Sequence, residues 1–196
     1  MQYRVTLTFT EPLLGTAPMD ADVYTNYIAE KKADLTPDEL NDEVDSLNED
    51  KGVTGFHAQD GRPFLYDYMI RGFFKDACGM LRRAQGTASS KLTAYKRIID
   101  GLVFVDERRI FLELAEPLTT LERPLRAQTA QGERVALAKS ECAPAGATAS
   151  FTVTVLDDKS VPETTLCEWL DYGRRRGLGQ WRNGGYGRFT YELTAL

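Results

Sequence analysis

Phe64-Leu65-Tyr66-Asp67-Tyr68-Met69-Ile70-Arg71-Gly72-Phe73-Phe74-Lys75-Asp76-Ala77-Cys78-Gly79-Met80-Leu81-Arg82-Arg83 is the stretch on which the fold turns. Tyr66, Met69, Ile70, Phe73, Ala77, Met80 and Leu81 recur at helical spacings as one apolar stripe. Arg71, Lys75 and Arg82 fall within about 40° of one another on a second face. Such a helix packs its stripe on a sheet and keeps a basic edge. Upstream, Tyr3, Val5, Leu7 and Phe9 alternate with Arg4, Thr6 and Thr8, which predicts a strand over 2–10 with one buried face. Downstream, Leu102–Val105 and Ile110–Leu114 read as strands joined by a tight turn at Asp106-Glu107-Arg108-Arg109. Arg123–Thr129 and Arg134–Lys139 read as a polar hairpin about Ala130-Gln131-Gly132-Glu133, and Phe151, Val153 and Val155 as a further strand. Ser160 and Glu163 predict a capping box around Pro162, opening a helix with Leu166, Trp169 and Leu170 on its apolar face and ending near Gly173. Phe189, Tyr191 and Leu193 alternate in a last strand. Two strand–helix–strand halves in this order predict an α+β protein with a ferredoxin-like (RRM-like) split βαβ core and an extra β-hairpin.

The 196 residues, 42% of them hydrophobic, suit a single domain over 1–196. Its net charge of −5 is unevenly distributed. Residues 1–60 hold 13 of the 29 acidic residues against Arg4, Lys31, Lys32 and Lys51, so the rest of the chain is net basic. An acidic insertion at 16–60, after the first strand, accounts for this, and Thr36-Pro37-Asp38-Glu39 predicts a short helix over 37–48 within it. A basic body keeps nucleic acid open as a partner, because binding follows the local field. No run of roughly 20 apolar residues is present and Met1-Gln2-Tyr3-Arg4-Val5 lacks a signal-peptide core, so the expectation is a soluble, cytoplasmic protein. Cys78, Cys142 and Cys167 are far apart without a CxxC, and His57 is the single histidine. Reduced thiols, no metal and no cofactor are therefore expected, and chemistry that needs a pair of histidines is excluded.

The segment that carries chemistry is Gly173-Arg174-Arg175-Arg176-Gly177-Leu178-Gly179-Gln180-Trp181-Arg182-Asn183-Gly184-Gly185-Tyr186-Gly187-Arg188. Its glycines allow close backbone approach, its arginines supply charge and forked donors, and Trp181 and Tyr186 supply faces for stacking. Single-stranded nucleic acid uses all three properties together. The glycines follow a helix and precede a strand, the reverse of a Rossmann or P-loop arrangement, and no Gly-Lys-Ser/Thr is present. Candidate RNA contacts are therefore Gly177, Gly179, Gln180, Trp181, Arg182, Asn183, Gly184, Gly185, Tyr186 and Arg188, with Arg71, Lys75 and Arg82 on the basic helix edge and Lys91 beyond the polar loop at Gly86–Ser90.

Four features together resemble the RAMP superfamily of CRISPR-associated proteins, and most closely the backbone subunits that coat guide RNA. They are Glu11-Pro12-Leu13-Leu14-Gly15 after the first strand, the basic helix after Asp60-Gly61-Arg62-Pro63, Ser140-Glu141-Cys142-Ala143-Pro144-Ala145-Gly146-Ala147 leading into a strand, and Gly177–Phe189 before the last strand. The resemblance covers most of the chain outside 16–55, and the glycine-rich loop is its specific part. A Pro-Gly-Ser-Ser-Leu-Lys-Gly-like motif usually opens the helix in that family; here Arg62-Pro63-Phe64-Leu65-Tyr66-Asp67-Tyr68-Met69-Ile70-Arg71-Gly72 lacks the serine pair and has Arg71-Gly72 in place of Lys-Gly. The resemblance implies a repeated subunit of a CRISPR ribonucleoprotein in antiviral defense, with single-stranded guide RNA, copies of itself and other effector subunits as partners.

The residues themselves show no catalytic constellation. The resemblance adds two possibilities, because some RAMP members cut precursor guide RNA without metal through a histidine, for which His57 is the candidate with Tyr66, Tyr68 or Lys75 in support, and some backbone subunits cut target RNA with an aspartate after the first strand, where Asp20 and Asp22 lie. A third reading treats the acidic segment 20–60 as a nucleic-acid mimic that inhibits a CRISPR complex.

Overall fold

The computed structural model describes residues 1–19, 53–129, 132–157 and 159–196. The helix expected over 37–48, Asp20, Asp22, most of the acidic insertion and the turn at Ala130-Gln131 lie outside them. In chain order the elements are β1 (Gln2–Phe9), β2 (Leu13–Leu14), β3 (Ala17–Pro18), β4 (Val53–Gly55), β5 (His57–Gln59), β6 (Arg62–Tyr66), α1 (Asp67–Leu81), α2 (Tyr95–Leu102), β7 (Val103–Val105), β8 (Arg109–Glu113), β9 (Thr119–Thr129), β10 (Gly132–Ala143), β11 (Thr148–Val155), α3 (Glu163–Arg176) and β12 (Phe189–Ala195). The protein is α+β, with two sheets and three α-helices among the described residues. No helix of the described residues is long and apolar enough to cross a membrane.

The larger sheet runs β12-β1-β11-β8-β6-β5, and β7 also pairs with β11. Alternation in β1 does what its sequence requires: Tyr3, Val5, Leu7 and Phe9 are buried beneath the helices, with Phe151 and Val153 of β11 and Phe189 of β12. From above, α1 contributes Ile70, Phe73, Phe74, Ala77 and Cys78, and α3 contributes Leu166, Trp169 and Leu170. Phe74 and Trp169 meet at 5.5 Å, so the two helices pack on one another as well as on the sheet.

Three local expectations are corrected. The Ser160–Glu163 capping box does not form; Ser160 donates its hydroxyl to Asp157 (2.6 Å) instead, and α3 starts after Pro162. Gly173 does not end α3. It sits within the helix because a Cβ there would meet the Phe189 ring at 2.0 Å, and the helix continues to Arg176. Nor do β7 and β8 form a hairpin: each pairs antiparallel with a different part of β11. Between those two parts the Glu107 carboxylate accepts the Thr152 backbone N–H (2.6 Å) and hydroxyl (3.0 Å), which satisfies the gap in the ladder.

The outer face of this sheet, away from the helices, divides in two. On β1, β11 and β12 it carries Thr6, Thr8, Thr148, Ser150, Thr152, Thr154, Thr190 and Thr194, with hydroxyl pairs such as Thr6 and Ser150 at 2.9 Å. Arg4 lies there too, neutralised by Glu107 at 2.8 Å. The register Thr148↔Glu113, Phe64↔Phe111 and His57↔Phe64 carries the same face onto β8, β6 and β5, where the side chains become aromatic and basic.

The smaller sheet runs β2-β10-β4-β3, with β9 paired to β10 as the expected hairpin, longer than its sequence core suggested. Its root packs beside the glycine-rich segment. Gly15 donates its N–H to the Glu141 carbonyl (3.0 Å), and a Cβ on Gly15 would lie 2.2 Å from the backbone of Gly55.

Candidate nucleic-acid interface

The segment after α3 is a folded loop with a root and a tip. At the root, Leu178 donates its N–H to the Gly187 carbonyl (2.9 Å), and Gly187 donates to the Pro12 carbonyl (2.8 Å). The two arms cross backbone to backbone, for a Cβ on Gly187 would stand 1.9 Å from the Leu178 oxygen. Gly177 and Gly179 face backbone of Tyr186 and Leu14 at 2.3 and 2.7 Å in the same sense. Leu178 and Gln180 are buried, and the Gln180 side-chain oxygen lies 3.1 Å from the Thr54 hydroxyl of β4. Of the residues expected to touch RNA, Gly177 therefore joins the two arms of the loop, and Gly179 and Gln180 meet the second sheet at Leu14 and Thr54. Their spacing follows from crowding at the root.

The tip is different in kind. Trp181 adopts a left-handed backbone, Arg182–Gly184 makes one 3-10 turn, and Gly185 (φ 91°) closes it with its N–H donating to the Arg182 carbonyl (2.9 Å). That φ is costly for any side-chain-bearing residue. Trp181 and Tyr186 stand edge to face at 6.1 Å, and the Arg123 guanidinium of β9 lies 5.7 Å over the Trp181 ring. Asn183, Gly184 and Arg188 are exposed beside them. Arg123 was not singled out from sequence: it reads as one charge of a polar hairpin until β9 places it on the loop.

Arg182 is not a free cation. It and Arg176 both reach Asp76 Oδ2 at 3.0 Å, and Arg176 also donates to Asn183 (2.7 Å). Two guanidiniums on one carboxylate tether the tip to α1 and leave the group net positive. The basic edge expected on α1 is dispersed. Lys75 is buried and paired with Asp100 of α2 at 3.1 Å, so it is removed from the exposed set; α2, packing across α1, covers it. Arg71 is three-quarters buried on Asp67 at 3.1 Å. Arg82 is exposed, with its guanidinium 5.0 Å over the Tyr95 ring, and Lys91 is exposed on the Ser89–Lys91 turn.

His57 stacks on Phe64 at 5.8 Å and meets the edge of Tyr66 at 4.8 Å. Burial lowers its pKa below 6.5, and among the described residues its ring makes no hydrogen bond. An imidazole so placed is neutral near pH 7 and has no polar group to orient it for proton transfer. Lys75, offered as its support, is in the interior. Among the described residues no group of three or more His, Cys, Asp or Glu is placed to hold a metal ion. Cys78 and Cys142 are buried free thiols raised above the ordinary range, chiefly by burial.

No protein-family model matches the chain, and no curated protein matches it in sequence. Two chains of CRISPR complexes are similar to it in structure. One belongs to a cryo-EM structure of the Type III-B Cmr-beta bound to cognate target RNA, with a TM-score of 0.51 and 13% identity over 99% of this chain. The protein spans only 58% of that chain's length. A chain of a Type IV-B CRISPR complex superposes at a TM-score of 0.46 and 13% identity, covering 100% of this chain and 91% of that one. The first likeness establishes a shared fold; the second adds no argument to it.

Proposed function

We propose that this protein is a non-catalytic, single-stranded RNA-binding subunit of the RAMP type, coating guide RNA as a repeated backbone element of a cytoplasmic CRISPR ribonucleoprotein. The observation that carries the reading is the loop tip. Gly184 and Gly185 offer bare backbone between the Trp181 and Tyr186 rings, ringed by Arg123, Arg188 and the net-positive Arg176–Asp76–Arg182 group. Backbone phosphates and stacked bases match that combination. Two further observations support it. The antiparallel order β12-β1-β11-β7, with α1 and α3 on one face, suits a ferredoxin-like, RRM-like core. The fold is also shared with a chain from a CRISPR assembly bound to target RNA. Arg82 and Lys91 extend the basic surface beyond α1.

The test is fluorescence anisotropy with labelled single-stranded RNA across a salt series, with the same RNA run on a gel for cutting. Expected are retention without cleavage and affinity that falls steeply as salt rises. Gly184 supplies the internal check, because a Cβ there meets only the flexible end of Arg123 at 3.2 Å and the Tyr186 ring at 3.4 Å. Gly184→Val should preserve the melting temperature and weaken RNA binding by roughly tenfold. Salt-independent retention, or normal binding by this variant, would overturn the reading. Metal-independent cutting that disappears in His57→Ala would replace it with an endoribonuclease.

A further inference from the structure

We propose that the outer face of β5, β6 and β8 is a second RNA-binding surface, on which unpaired bases stack beside Tyr66 and Phe111 while Arg109 holds a phosphate. The inference rests on the RNA-binding reading and goes beyond it, because none of these side chains belongs to the glycine-rich loop.

Strand alternation creates the surface. Leu65 and Ile110 point into the core, so their neighbours on β6 and β8 must point out, and Phe64↔Phe111 and Tyr66↔Arg109 stand as adjacent cross-strand rows. Among the described residues no helix packs on this face. Phe64 is the hub, with Tyr66 at 5.0 Å and Phe111 at 5.8 Å, both edge to face, and His57 stacked at its side. Tyr66 and Tyr68 continue the array with nearly parallel planes, 19° apart at 5.3 Å. Apart from Phe64, these rings are only partly buried.

The arginines lie on the rings. Arg62 is 4.6 Å over Phe111, Arg108 is 4.9 Å over Tyr66, and Arg109 is 5.7 Å over Phe64. A guanidinium lying on a ring presents a second planar face, and those of its N–H groups that hold no carboxylate can meet an anion. The carboxylates nearby cancel only part of this charge. Asp67 is shared by Arg71 and Arg108, and Glu113 is taken up by Arg62 at 2.7 Å. Arg109 donates to the neutral amide of Gln59 at 2.9 Å and meets no carboxylate among the described residues. Planar faces combined with surplus positive charge fit a single-stranded nucleic acid, whose bases stack and whose phosphates need cations. The hydroxyl half of the same face has neither property. Asp67 and Asp76, the anchors of the two arginine groups, are separated by about 14 Å of rise along α1, so this surface is distinct from the loop.

The experiment measures binding of a uridine oligomer of about 20 nucleotides, and of a matched oligomer with abasic residues, to the wild type, Tyr66→Leu, Arg109→Gln and Gly184→Val. Tyr66→Leu and Arg109→Gln should each lose roughly tenfold for the uridine oligomer at an unchanged melting temperature. Abasic RNA should bind the wild type and Tyr66→Leu alike, since no base remains to stack. Irradiated 4-thiouridine RNA should crosslink to the peptides bearing Tyr66, Tyr68 or Phe111. Should Tyr66→Leu unfold, Arg109→Gln decides alone, because Arg109 is exposed and bonded only to exposed Gln59. Normal uridine binding by a folded Arg109→Gln, with Gly184→Val impaired, removes this surface and leaves the loop reading standing. Variants that change self-association but not RNA binding make the face a contact between protein copies, which also overturns the proposal. A wild type that retains no RNA brings down both.

Discussion

The loop after α3 and the outer face of β5, β6 and β8 are built from the same residue types, arginines and aromatic rings, yet they use them differently. In the loop, the backbone faces outward: glycines at the root bring two arms into van der Waals contact, and the tip presents Gly184 and Gly185 between two rings. Arg182 of the loop and Arg176 at the end of α3 are committed to Asp76 and hold the tip in place. On the sheet face the backbone is committed to the ladder and the side chains do the presenting: Arg62, Arg108 and Arg109 lie over rings, and of the three only Arg109 meets no carboxylate among the described residues. An arginine in a glycine-rich loop can therefore be scaffold, while one in a short turn such as Asp106–Arg109 can be surface. Residue type indicates the chemistry; the available carboxylate partner decides which arginine performs it.

The largest expected effect comes from reversing the two exposed cations at the tip. Arg123→Glu combined with Arg188→Glu should weaken single-stranded RNA binding by roughly a hundredfold at low salt, at about the value of two charge-assisted contacts. Thermal unfolding should be unchanged, since neither side chain is buried. If anisotropy shows near-normal affinity, the loop is scaffold throughout and the sheet face carries the binding.

A smaller and opposite effect is expected at Asp76. Asp76→Asn removes the shared carboxylate and releases Arg176 and Arg182, so RNA affinity should rise a few-fold while stability falls by about 1 kcal/mol. Denaturant unfolding and anisotropy on one preparation separate the two changes. Lower stability without any gain in affinity would mean that these arginines serve the fold alone.

The smallest effect concerns His57 in the ring cluster. Burial lowers its folded pKa below the ordinary 6.5, so the unfolded chain takes up the proton first as pH falls. Its contribution to stability is therefore complete above about pH 6.5 and is lost as pH drops toward the folded value. The melting temperature of the wild type should decline over that window, and His57→Phe should flatten the decline. An unchanged slope in the variant would show that the imidazole is not held neutral against Phe64 and Tyr66.

Much of this architecture could be read in short windows of sequence. The alternation of β1 and β11, the stripe on α1 and the Leu166, Trp169 and Leu170 face of α3 all appear where expected, because a buried side dictates its own period. The stripe on α1 needs three corrections: Tyr66, read as its first residue, belongs to β6 and faces outward beside Arg109, Phe74 is fully buried, and Met80 is exposed. Phe74 stands four residues after Ile70 and three before Ala77, so the helical period itself places it beside the stripe, at the edge that meets Trp169 of α3. Helix α2 and the short strands β2 to β6 were also missed, being too short to establish a period, and Phe64–Tyr66, which reads as helix, is the end of β6.

The order of residues sets where the glycine-rich loop falls, which elements are helix or strand on either side of it, and that rings and arginines are concentrated there. These are local properties, set by composition and by side-chain repeats of two or 3.6 residues. Only the tertiary structure decided which of those residues are presented. Gln180 turns inward because Thr54 waits in β4, Arg182 is held because Asp76 faces it from α1, and Lys75 disappears beneath α2. The ring surface arises in the same way: strand register brings His57, Phe64 and Phe111 into one row from three separate strands. Pairings of this kind depend on how distant segments meet, and the free energy that selects them is gained only when the sheets and helices have closed around the core.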